Sequence, residues 1–454
     1  MLKLTKFAVA TAVMAAMGVQ AHADSFVITL GDDAQTLNLA LNNGVTAWLK
    51  WRGVDTQTIT FNGQMQEFPV LAKTVTVSTT SNSDEPITSI VCVGSGITSI
   101  DVSNTTSSLQ ELNCMDNELT SVTFGSNVEA LAIVNVACNP LTEITFPTAC
   151  PALTTLICAS TDITALPSAS TVPALKSVWC QDTPISELKL TDYKSLTELY
   201  ANNCQLTRLT VPSSLKTIYV DHNSTLESLI LTAAHNIETI SADNCSLTKL
   251  STYRYSASTL KNMYINDNFL GFQNFPSITD MDNWCVSPQG DIALPSEVLV
   301  GTVTDLSAYV NRNAWSVTIN ENISWQTESG ATLSEGVDFE HTGTGLYKWL
   351  KPVGKVQGIL TDEQNYPGVT LQTSVINVVD EMSGINELAT ASADVSISSE
   401  NGQLVVESST PVNVTVVSAN GQTIINQVIP AGRYTKALPA GVYVVNNQKV
   451  VVGN

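Results

Sequence analysis

Residues 109–119 read Leu109-Gln110-Glu111-Leu112-Asn113-Cys114-Met115-Asp116-Asn117-Glu118-Leu119. Apolar residues or Cys occupy the first, fourth, sixth and last places of this stretch, and Asn stands two places before its end. The pattern begins nine times, with a spacing of 22 residues that slips to 21, 19 and 23, at Ile87, Leu109, Leu131, Leu153, Leu175, Leu196, Leu215, Ile237 and Leu260. A fixed period of this length predicts a solenoid of stacked coils.

The period also predicts which side chains face inward. Side chains alternate between the two faces of a strand, so Leu112 and Cys114 face the core, whereas Glu111, Asn113 and Met115 face out. Nine such strands stacked in parallel at about 4.8 Å would form a sheet roughly 40 Å long. One slot, which we call the Asn slot, is expected to hydrogen-bond buried backbone carbonyls. It holds Ser95, Asn117, Asn139, Thr161, Thr183, Cys204, Asn223, Cys245 and Asn268.

This pattern resembles the leucine-rich repeat, L-x-x-L-x-L-x-x-N-x-L, and in particular the internalin-like branch, in which Cys often replaces the third Leu. The array extends over residues 87–276. The second half of each copy carries a further apolar pair, such as Leu209 and Val211, which predicts a short strand on the convex side because 22 residues leave little room for a helix.

The amino terminus has the composition of a secretory signal peptide over residues 1–23. Lys3 and Lys6 precede an apolar run from Phe7 to Val19, which is too short to span a bilayer. No Cys adjoins the expected cleavage point, and no later stretch is apolar and long enough for a transmembrane helix. We therefore expect an exported chain.

The charge of the chain disfavours two classes of partner. The net charge is −21, and removal of residues 1–23 takes away two Lys and no acidic residue, which makes it −23. A surface this negative repels phosphate backbones and anionic lipid, so neither nucleic acid nor direct membrane-surface binding is expected.

Nine cysteines in an exported chain suggest disulfides, but their positions favour free thiols. Most of them fall on repeat slots, where a small buried hydrophobe suffices: Cys92, Cys114, Cys158 and Cys180 share the inward slot, and Cys204 and Cys245 share the Asn slot. If disulfides form, stacking favours the pairs Cys92 with Cys114 and Cys158 with Cys180.

Residues 24–86 alternate in hydrophobicity, as in Phe26–Leu30, and predict a β-rich amino-terminal cap that covers the first coil. Trp48, Trp51 and Phe68 are its expected packing anchors.

The candidate binding surface is the outward column at the strand centres, which holds Val91, Asn113, Asn135, Ile157, Trp179, Tyr200, Tyr219, Ser241 and Tyr264. Aromatic residues cluster at one end, next to a column of amides and carboxylates. We expect a ligand to contact Trp179, Tyr200, Tyr219, Tyr264, Asn202, Asp221, Asp243 and His222. The alternative is that these rings only shield the strand surface.

Past Phe275 the period stops, and residues 284–380 show short β-like runs with Trp315, Trp325, Tyr347 and Trp349 available for a core. This pattern favours an immunoglobulin-like β-sandwich. Residues 381–393 are rich in small residues and are typical of a linker.

Residues 394–454 alternate again, with turns at Asn401-Gly402 and Asn420-Gly421. The endings Gly441–Val445 and Lys449–Val452 resemble the carboxy-terminal sorting domain of type IX secretion substrates. The resemblance implies recognition by the type IX secretion machinery and passage across the outer membrane of a Gram-negative bacterium. The tail is then usually removed, and the product is released or attached to the outer surface. A final sandwich domain that stays in place is the alternative.

The sequence offers little support for catalysis. The mature chain has three His residues, and no catalytic or phosphate-binding motif stands out. We expect no catalytic residues, no metal site and no cofactor. The fold class is mainly β, with a cap, a leucine-rich repeat solenoid and two β-sandwiches. The expected function is non-enzymatic binding of a protein or glycan, in adhesion or recognition. Two alternatives remain, a self-associating matrix component and a hydrolase that uses His222 with a nearby Asp, either Asp221, Asp182 or Asp243.

Overall fold

The computed structural model describes residues 24–81, 83, 85–105, 107–126, 128–252, 259–275, 278, 281–310, 322–380, 395–400, 402–419, 422–446 and 448–452. They form a mainly β structure that divides into two compact units. The first unit holds the described residues up to Gly290, with 309–310 and 361–371, and the second holds those of Asp291–Ala308, 322–360 and 372–452. The predicted signal peptide and linker lie outside the described residues.

The first unit begins with six strands, β1 (Ser25–Leu30), β2 (Thr36–Leu41), β3 (Thr46–Trp51), β4 (Gln57–Thr60), β5 (Gln66–Pro69) and β6 (Thr74–Thr79). The repeats add β7 (Ser89–Val91), β8 (Ile97–Asp101), β9 (Glu111–Asn113), β10 (Ser121–Thr123), β11 (Ile133–Asn135), β12 (Thr155–Ile157), β13 (Ser177–Trp179), β14 (Glu198–Tyr200), β15 (Arg208–Thr210), β16 (Thr217–Tyr219), β17 (Ser228–Leu231), β18 (Thr239–Ser241), β19 (Lys249–Thr252), β20 (Asn262–Tyr264) and β21 (Asn283–Cys285).

One long sheet runs through this unit in the order β21-β20-β18-β16-β14-β13-β12-β11-β9-β7-β2-β5. It lies on the side of the coils opposite the predicted convex strands, and we call it the concave sheet. From β7 to β21 all neighbours are parallel, whereas β2 and β5 of the cap join antiparallel. In this long sheet, the middle residue of every strand from β7 to β20 is buried, as Leu112, Leu156 and Ile218 illustrate. The fold is a leucine-rich repeat solenoid.

The opposite side of the coils carries shorter sheets. One has the order β10-β8-β1-β6-β3-β4, and the other has the order β15-β17-β19. The convex strands predicted from the second apolar pair therefore form in some coils. Elsewhere, as at Leu188 and Leu190, the described chain forms no strand, and only the bridge between Lys189 and Thr210 marks the pairing.

One of the three predicted packing anchors of the cap is wrong. Trp51 and Phe68 are buried, but Trp48 is 40% exposed, and Phe61 is buried in the cap instead. Because side chains alternate along β3, Trp48 and Trp51 cannot face the same side, and the core takes Ala47, Leu49 and Trp51.

The sheet extends one strand beyond the nine copies counted in the sequence. Strand β21 pairs in parallel with β20, and Val286 is fully buried in the inward slot. Gln289 fills the Asn slot, where its Nε2 donates to the carbonyl oxygens of Ile265 and Val286 at 2.7 and 2.8 Å. The pattern missed this tenth coil because it did not admit Gln in that slot.

The far end of the first unit is covered by residues 361–371, from the stretch predicted to belong wholly to a sandwich. Tyr366 is fully buried, stacks on Phe272 with ring centroids 5.4 Å apart, and donates from its hydroxyl to the carbonyl oxygen of Phe275 at 2.9 Å. This segment therefore closes the apolar end of the array.

Asn and Cys side chains in the Asn slot hydrogen-bond the backbone of the preceding coil. Asn139 Nδ2 donates to the carbonyl oxygens of Cys114 in the preceding coil and of Val136 in its own coil, and its Oδ1 accepts from the Leu119 N–H at 2.9 Å. Thr161, by contrast, donates only to the carbonyl of Cys158 within its own coil. Thr161 is therefore a weak point of this series of hydrogen bonds.

Replacing Thr161 by Asn is expected to raise the free energy of unfolding by about 2 kcal/mol, the net value of two added intramolecular hydrogen bonds. The new amide would donate to the Val136 carbonyl and accept from the Leu141 N–H, as Asn139 does one coil earlier. Urea denaturation measures the change. The Thr161→Val variant, which removes the existing bond, serves as the control and should be destabilised.

The remaining strands are β22 (Glu297–Leu299), β23 (Val303–Asp305), β24 (Asn322–Thr327), β25 (Phe339–Gly343), β26 (Leu346–Trp349), β27 (Gly354–Thr361), β28 (Thr370–Gln372), β29 (Ile376–Val379), β30 (Val395–Glu400), β31 (Gln403–Ser408), β32 (Val412–Ser418), β33 (Thr423–Ile429), β34 (Gly432–Ala437), β35 (Gly441–Val445) and β36 (Gln448–Val452), with a short helix α1 (Ser307–Val310) between β23 and β24.

In the second unit, one pair of sheets has the orders β22-β29-β27-β24 and β23-β26-β25. Trp325 and Trp349 are fully buried, with ring centroids 4.9 Å apart, and the Trp349 indole N–H donates to Thr304 Oγ1 at 2.8 Å. Trp315 lies outside the described residues. A second pair, β30-β31-β34 and β33-β32-β35-β36, encloses its own apolar cluster around Leu404, Val414 and Val445.

Candidate functional site

The register of the concave sheet places the predicted outward column in one row. Trp179 pairs with Tyr200, Tyr200 with Tyr219, Tyr219 with Ser241, and Ser241 with Tyr264. The four rings are only partly buried. They therefore lie on one face of neighbouring strands, at the side of the sheet opposite the core.

Three of these rings stack on each other, and we call Trp179, Tyr200 and Tyr219 the ring ladder. The centroids of Trp179 and Tyr200 are 4.1 Å apart at an interplanar angle of 25°, and those of Tyr200 and Tyr219 are 5.1 Å apart at 7°. A ring therefore covers each face of Tyr200. A ligand can therefore reach the edge of the Tyr200 ring but cannot stack on either of its faces.

Polar contacts fix the ring ladder from one side. The Trp179 indole N–H donates to Ser177 Oγ at 3.0 Å, and Ser177 Oγ donates to Glu198 at 3.0 Å. Partial burial, with smaller contributions from Glu198 and Tyr219, raises the pKa of Tyr200. The Tyr200 hydroxyl consequently stays protonated and keeps a hydrogen to donate.

The other side of the column is lined by the amides and carboxylates of the next outward row, which we call the polar edge. The Asn202 amide donates to Asp221 Oδ1, and the same oxygen lies 3.1 Å from Ser241 Oγ. Asp243 lies 3.2 Å from Ser241 Oγ and accepts from Asn244 at 2.9 Å. The structure thus brings Asn202, Asp221 and Asp243 together around Ser241.

His222 has a structural reason for its position. It adopts the left-handed backbone conformation, with φ of 60°, at the turn that follows each repeat strand. Asp116, Asp182, Asn244 and Asp267 do the same in other coils. Asp, Asn and His are the non-glycine residues enriched in this conformation. The exposed imidazole Nδ1 lies 3.0 Å from Asp221 Oδ2.

The geometry gives little support to the hydrolase alternative. In a nucleophilic triad, the His base contacts the nucleophile, and the carboxylate orients the His. Here Ser241 Oγ and His222 Nδ1 both contact Asp221, so the carboxylate lies between them. Ser241 is also only 6% exposed. Among the described residues, no group of three or more His, Cys, Asp or Glu side chains is arranged to hold a metal ion.

The cysteines are all free thiols in this structure. Cys92 Sγ and Cys114 Sγ lie 3.2 Å apart in the stacked inward slot. The hydrogen bond with Cys92, together with burial, raises the pKa of Cys114, and burial raises that of Cys158 to about 12. Such thiols stay protonated near neutral pH and react poorly. In the Asn slot, the S–H groups of Cys204 and Cys245 donate hydrogen bonds to the carbonyl oxygens of Cys180 and Val220, respectively.

No protein-family model matches the chain, and no curated protein matches it. Three solved structures from Listeria monocytogenes are similar to it. The functional domain of InlJ, which includes a cysteine ladder, is 19% identical with a TM-score of 0.40, over 64% of this chain and 62% of that one. InlP is 15% identical with a TM-score of 0.36, over 62% of this chain and 88% of that one. The internalin-like protein lmo2027 is 14% identical with a TM-score of 0.31, over 62% of this chain and 87% of that one.

The chain thus spans less than two thirds of the InlJ domain, at 62% of its length. Within the described residues, no helix combines the length and the apolar character needed to cross a membrane.

Proposed function

We propose that this chain is an exported leucine-rich repeat protein that binds a protein or glycan partner through its concave sheet, in adhesion or recognition. The ring ladder is the observation that carries the proposal. Three stacked aromatic rings stand on the outer face of the sheet and present their edges beside the carboxylates of the polar edge. Trp and Tyr are the residues most enriched among those that dominate binding energies at interfaces, because they combine large area with a polar group.

The ring ladder is also pre-organised, which favours binding. Neighbouring rings, the sheet and the bond from Trp179 to Ser177 already restrict these side chains. Little side-chain entropy is then lost when a partner contacts them, and that loss is one of the main costs of association. The proposed contact residues are Trp179, Tyr200, Tyr219, Tyr264, Asn202, Asp221, Asp243 and His222.

Export is part of the proposal. The composition of residues 1–23 and the resemblance of residues 394–454 to type IX sorting domains support it. The described residues of 394–454 form two small sheets around an apolar cluster that includes Leu404 and Val445. We propose that the type IX machinery of a Gram-negative bacterium recognises this module, and that the product is secreted or held at the outer surface.

The double variant Trp179→Ala with Tyr219→Ala tests the binding role. We expect its binding to fall at least tenfold, since truncating residues of this kind typically costs 2 kcal/mol or more. Binding is measured on a glycan array and by pull-down from cell-surface extract. Val91→Ala, in the same outward column but away from the ring ladder, is the control and should bind normally.

Two results would count against this function. Binding that falls only as far as the folded fraction falls would show that the rings are packing residues. Concentration-dependent assembly in gel filtration, in the absence of any partner, would favour a self-associating matrix component instead.

A further inference from the structure

A gap one residue wide separates the ring ladder from Tyr264 in the outward column. Along the outward column, Tyr219 pairs with Ser241, and Ser241 pairs with Tyr264. Tyr200 covers one face of the Tyr219 ring, and no ring of the described residues contacts its other face. Ser241 is the only small side chain in this column between Trp179 and Tyr264, and its hydroxyl lies low against the sheet, where the residue is 6% exposed. We call the space above Ser241 the slot.

The width of the slot selects the shape of its occupant. Strands of a sheet lie about 4.8 Å apart, so Tyr219 and Tyr264, two strands apart, are separated by about 9.6 Å. A flat group placed midway lies about 4.8 Å from each ring, within the distance of about 6 Å at which a cation interacts with an aromatic face. One planar layer therefore fits, and two layers do not.

The charge around the slot selects the chemistry of its occupant. Asp221 and Asp243 converge on its floor, where each lies within hydrogen-bond distance of Ser241 Oγ, at 3.1 and 3.2 Å. Neither carboxylate forms an ion pair with a Lys or Arg among the described residues. Besides Ser241, Asp221 accepts from the neutral Asn202 amide and contacts the exposed His222, and Asp243 accepts from the neutral Asn244 amide. At the opposite, amino-terminal end of these strands, Glu238 is already paired with Lys216 at 3.1 Å. The slot is therefore aromatic on its sides and negative at one end.

We propose that the slot binds the guanidinium group of an arginine side chain on a protein partner. This inference rests on the proposed function and names the partner class for the same surface. A guanidinium is planar and permanently charged, stacks on aromatic faces and donates two parallel hydrogen bonds to a carboxylate. The lysine ammonium is not planar, and sugar rings and aromatic side chains carry no charge for Asp221 and Asp243 to recognise. The net charge of −21 also favours a basic partner.

The test uses the full exported chain and four small probes, the Nα-acetyl amides of arginine, citrulline, lysine and tyrosine. Citrulline has the shape of arginine without its charge. Ligand-observed saturation-transfer NMR measures each dissociation constant. We expect arginine to bind at least about tenfold more tightly than any other probe, the factor lost with one charge-assisted hydrogen bond. Raising the salt to 0.5 M should weaken the binding of arginine only.

Two variants locate the binding. Ser241→Tyr would continue the ring ladder through the slot and is expected to abolish arginine binding, whereas Ser241→Ala leaves the slot open and should retain it. Asp243→Asn removes one charge with little change of shape and should weaken arginine binding about tenfold. Val91→Tyr adds a tyrosine to the same column outside the slot and should have no effect.

Equal affinity for arginine and citrulline in the wild-type chain would overturn the proposal, and this comparison requires no variant to fold. Unchanged arginine binding in Ser241→Tyr would overturn it as well, as would preferential binding of the tyrosine probe. Failure here is distinguishable from failure of the proposed function. A partner that depends on Trp179 and Tyr219 but tolerates Ser241→Tyr would leave the binding surface intact and refute only the arginine slot.

Discussion

Replacing Asn223 by Ala is expected to lower the free energy of unfolding by about 3–5 kcal/mol, because several buried backbone groups lose their partner at once. Asn223 is fully buried. Its Nδ2 donates to the carbonyl oxygens of Ala201 at 2.9 Å and Val220 at 2.8 Å, and its Oδ1 accepts from the Leu206 N–H at 3.1 Å. The Val220 carbonyl keeps the Cys245 thiol as a second donor, but the Ala201 carbonyl and Leu206 N–H lose a bond that crosses between coils.

Urea denaturation with a matched Asn→Ala control measures this effect. Asn113 lies on the outward face, and its Oδ1 accepts one hydrogen bond, from the Met115 N–H at 3.3 Å. Its replacement by Ala should cost less than about 1 kcal/mol. Asn223→Thr should fall between the two, since Thr161 shows that Thr in this slot bonds only within its own coil. Equal losses in Asn223→Ala and Asn113→Ala would contradict the role given to the Asn slot.

Asn223 also supports the candidate site. It follows Asp221 and His222 directly, at the turn where the backbone takes its left-handed conformation. Amide hydrogen exchange should therefore speed up at Leu206 in Asn223→Ala, because its N–H loses the bond to the Asn223 side chain. It should also speed up along the turn of residues 221–223, because the side-chain bonds to the Ala201 and Val220 carbonyl oxygens no longer hold this turn in place.

Replacing Tyr200 by Ala is expected to lower the free energy of unfolding by about 2–4 kcal/mol. Two stacked ring pairs are lost, each worth about 0.5–1.5 kcal/mol beyond the buried area, together with part of the burial of the ring. Tyr200 is the only member of the ring ladder with a ring on both sides, at 4.1 and 5.1 Å between centroids.

Tyr264 offers the matched control for this variant. It lies in the same outward column on a neighbouring part of the same sheet, but it stacks on no ring of the described residues. Tyr264→Ala should therefore cost at least about 1 kcal/mol less than Tyr200→Ala, the value of the missing ring pairs. Tyr200→Phe keeps the rings and should be nearly neutral. Similar losses for Tyr200→Ala and Tyr264→Ala would show that stacking contributes nothing.

The repeats were predictable because coils of a solenoid contact only their neighbours. The alternation that buries Leu112 and exposes Asn113 is a property of three-residue strands and can be read locally. The same holds for the outward column, whose register from Val91 to Tyr264 agrees with the sequence count. The site residues stay a proposal, since their exposure on one face does not identify what they bind.

The departures from prediction arise where contacts leave this local pattern. The tenth coil was missed because Gln289 substitutes for Asn through its longer side chain, which reaches the same carbonyl oxygens. Tyr366 closes the array from 91 residues beyond Phe275, a separation that no periodicity reports. The prediction that Trp48 is a packing anchor was wrong because it rested on the size of the side chain. The alternation of side chains along β3 places Trp48 on the face away from the core.

The sequence by itself determined the coil, its period and the face on which each outward residue stands, because these follow from strand alternation and a repeated length. Only the tertiary structure decided that three rings stack and that Ser241 leaves a gap before Tyr264. It also decided that Asp221 and Asp243 converge beside that gap. These features join residues of different coils, about 20 positions apart in the chain, and the spacing between neighbouring strands sets their distances.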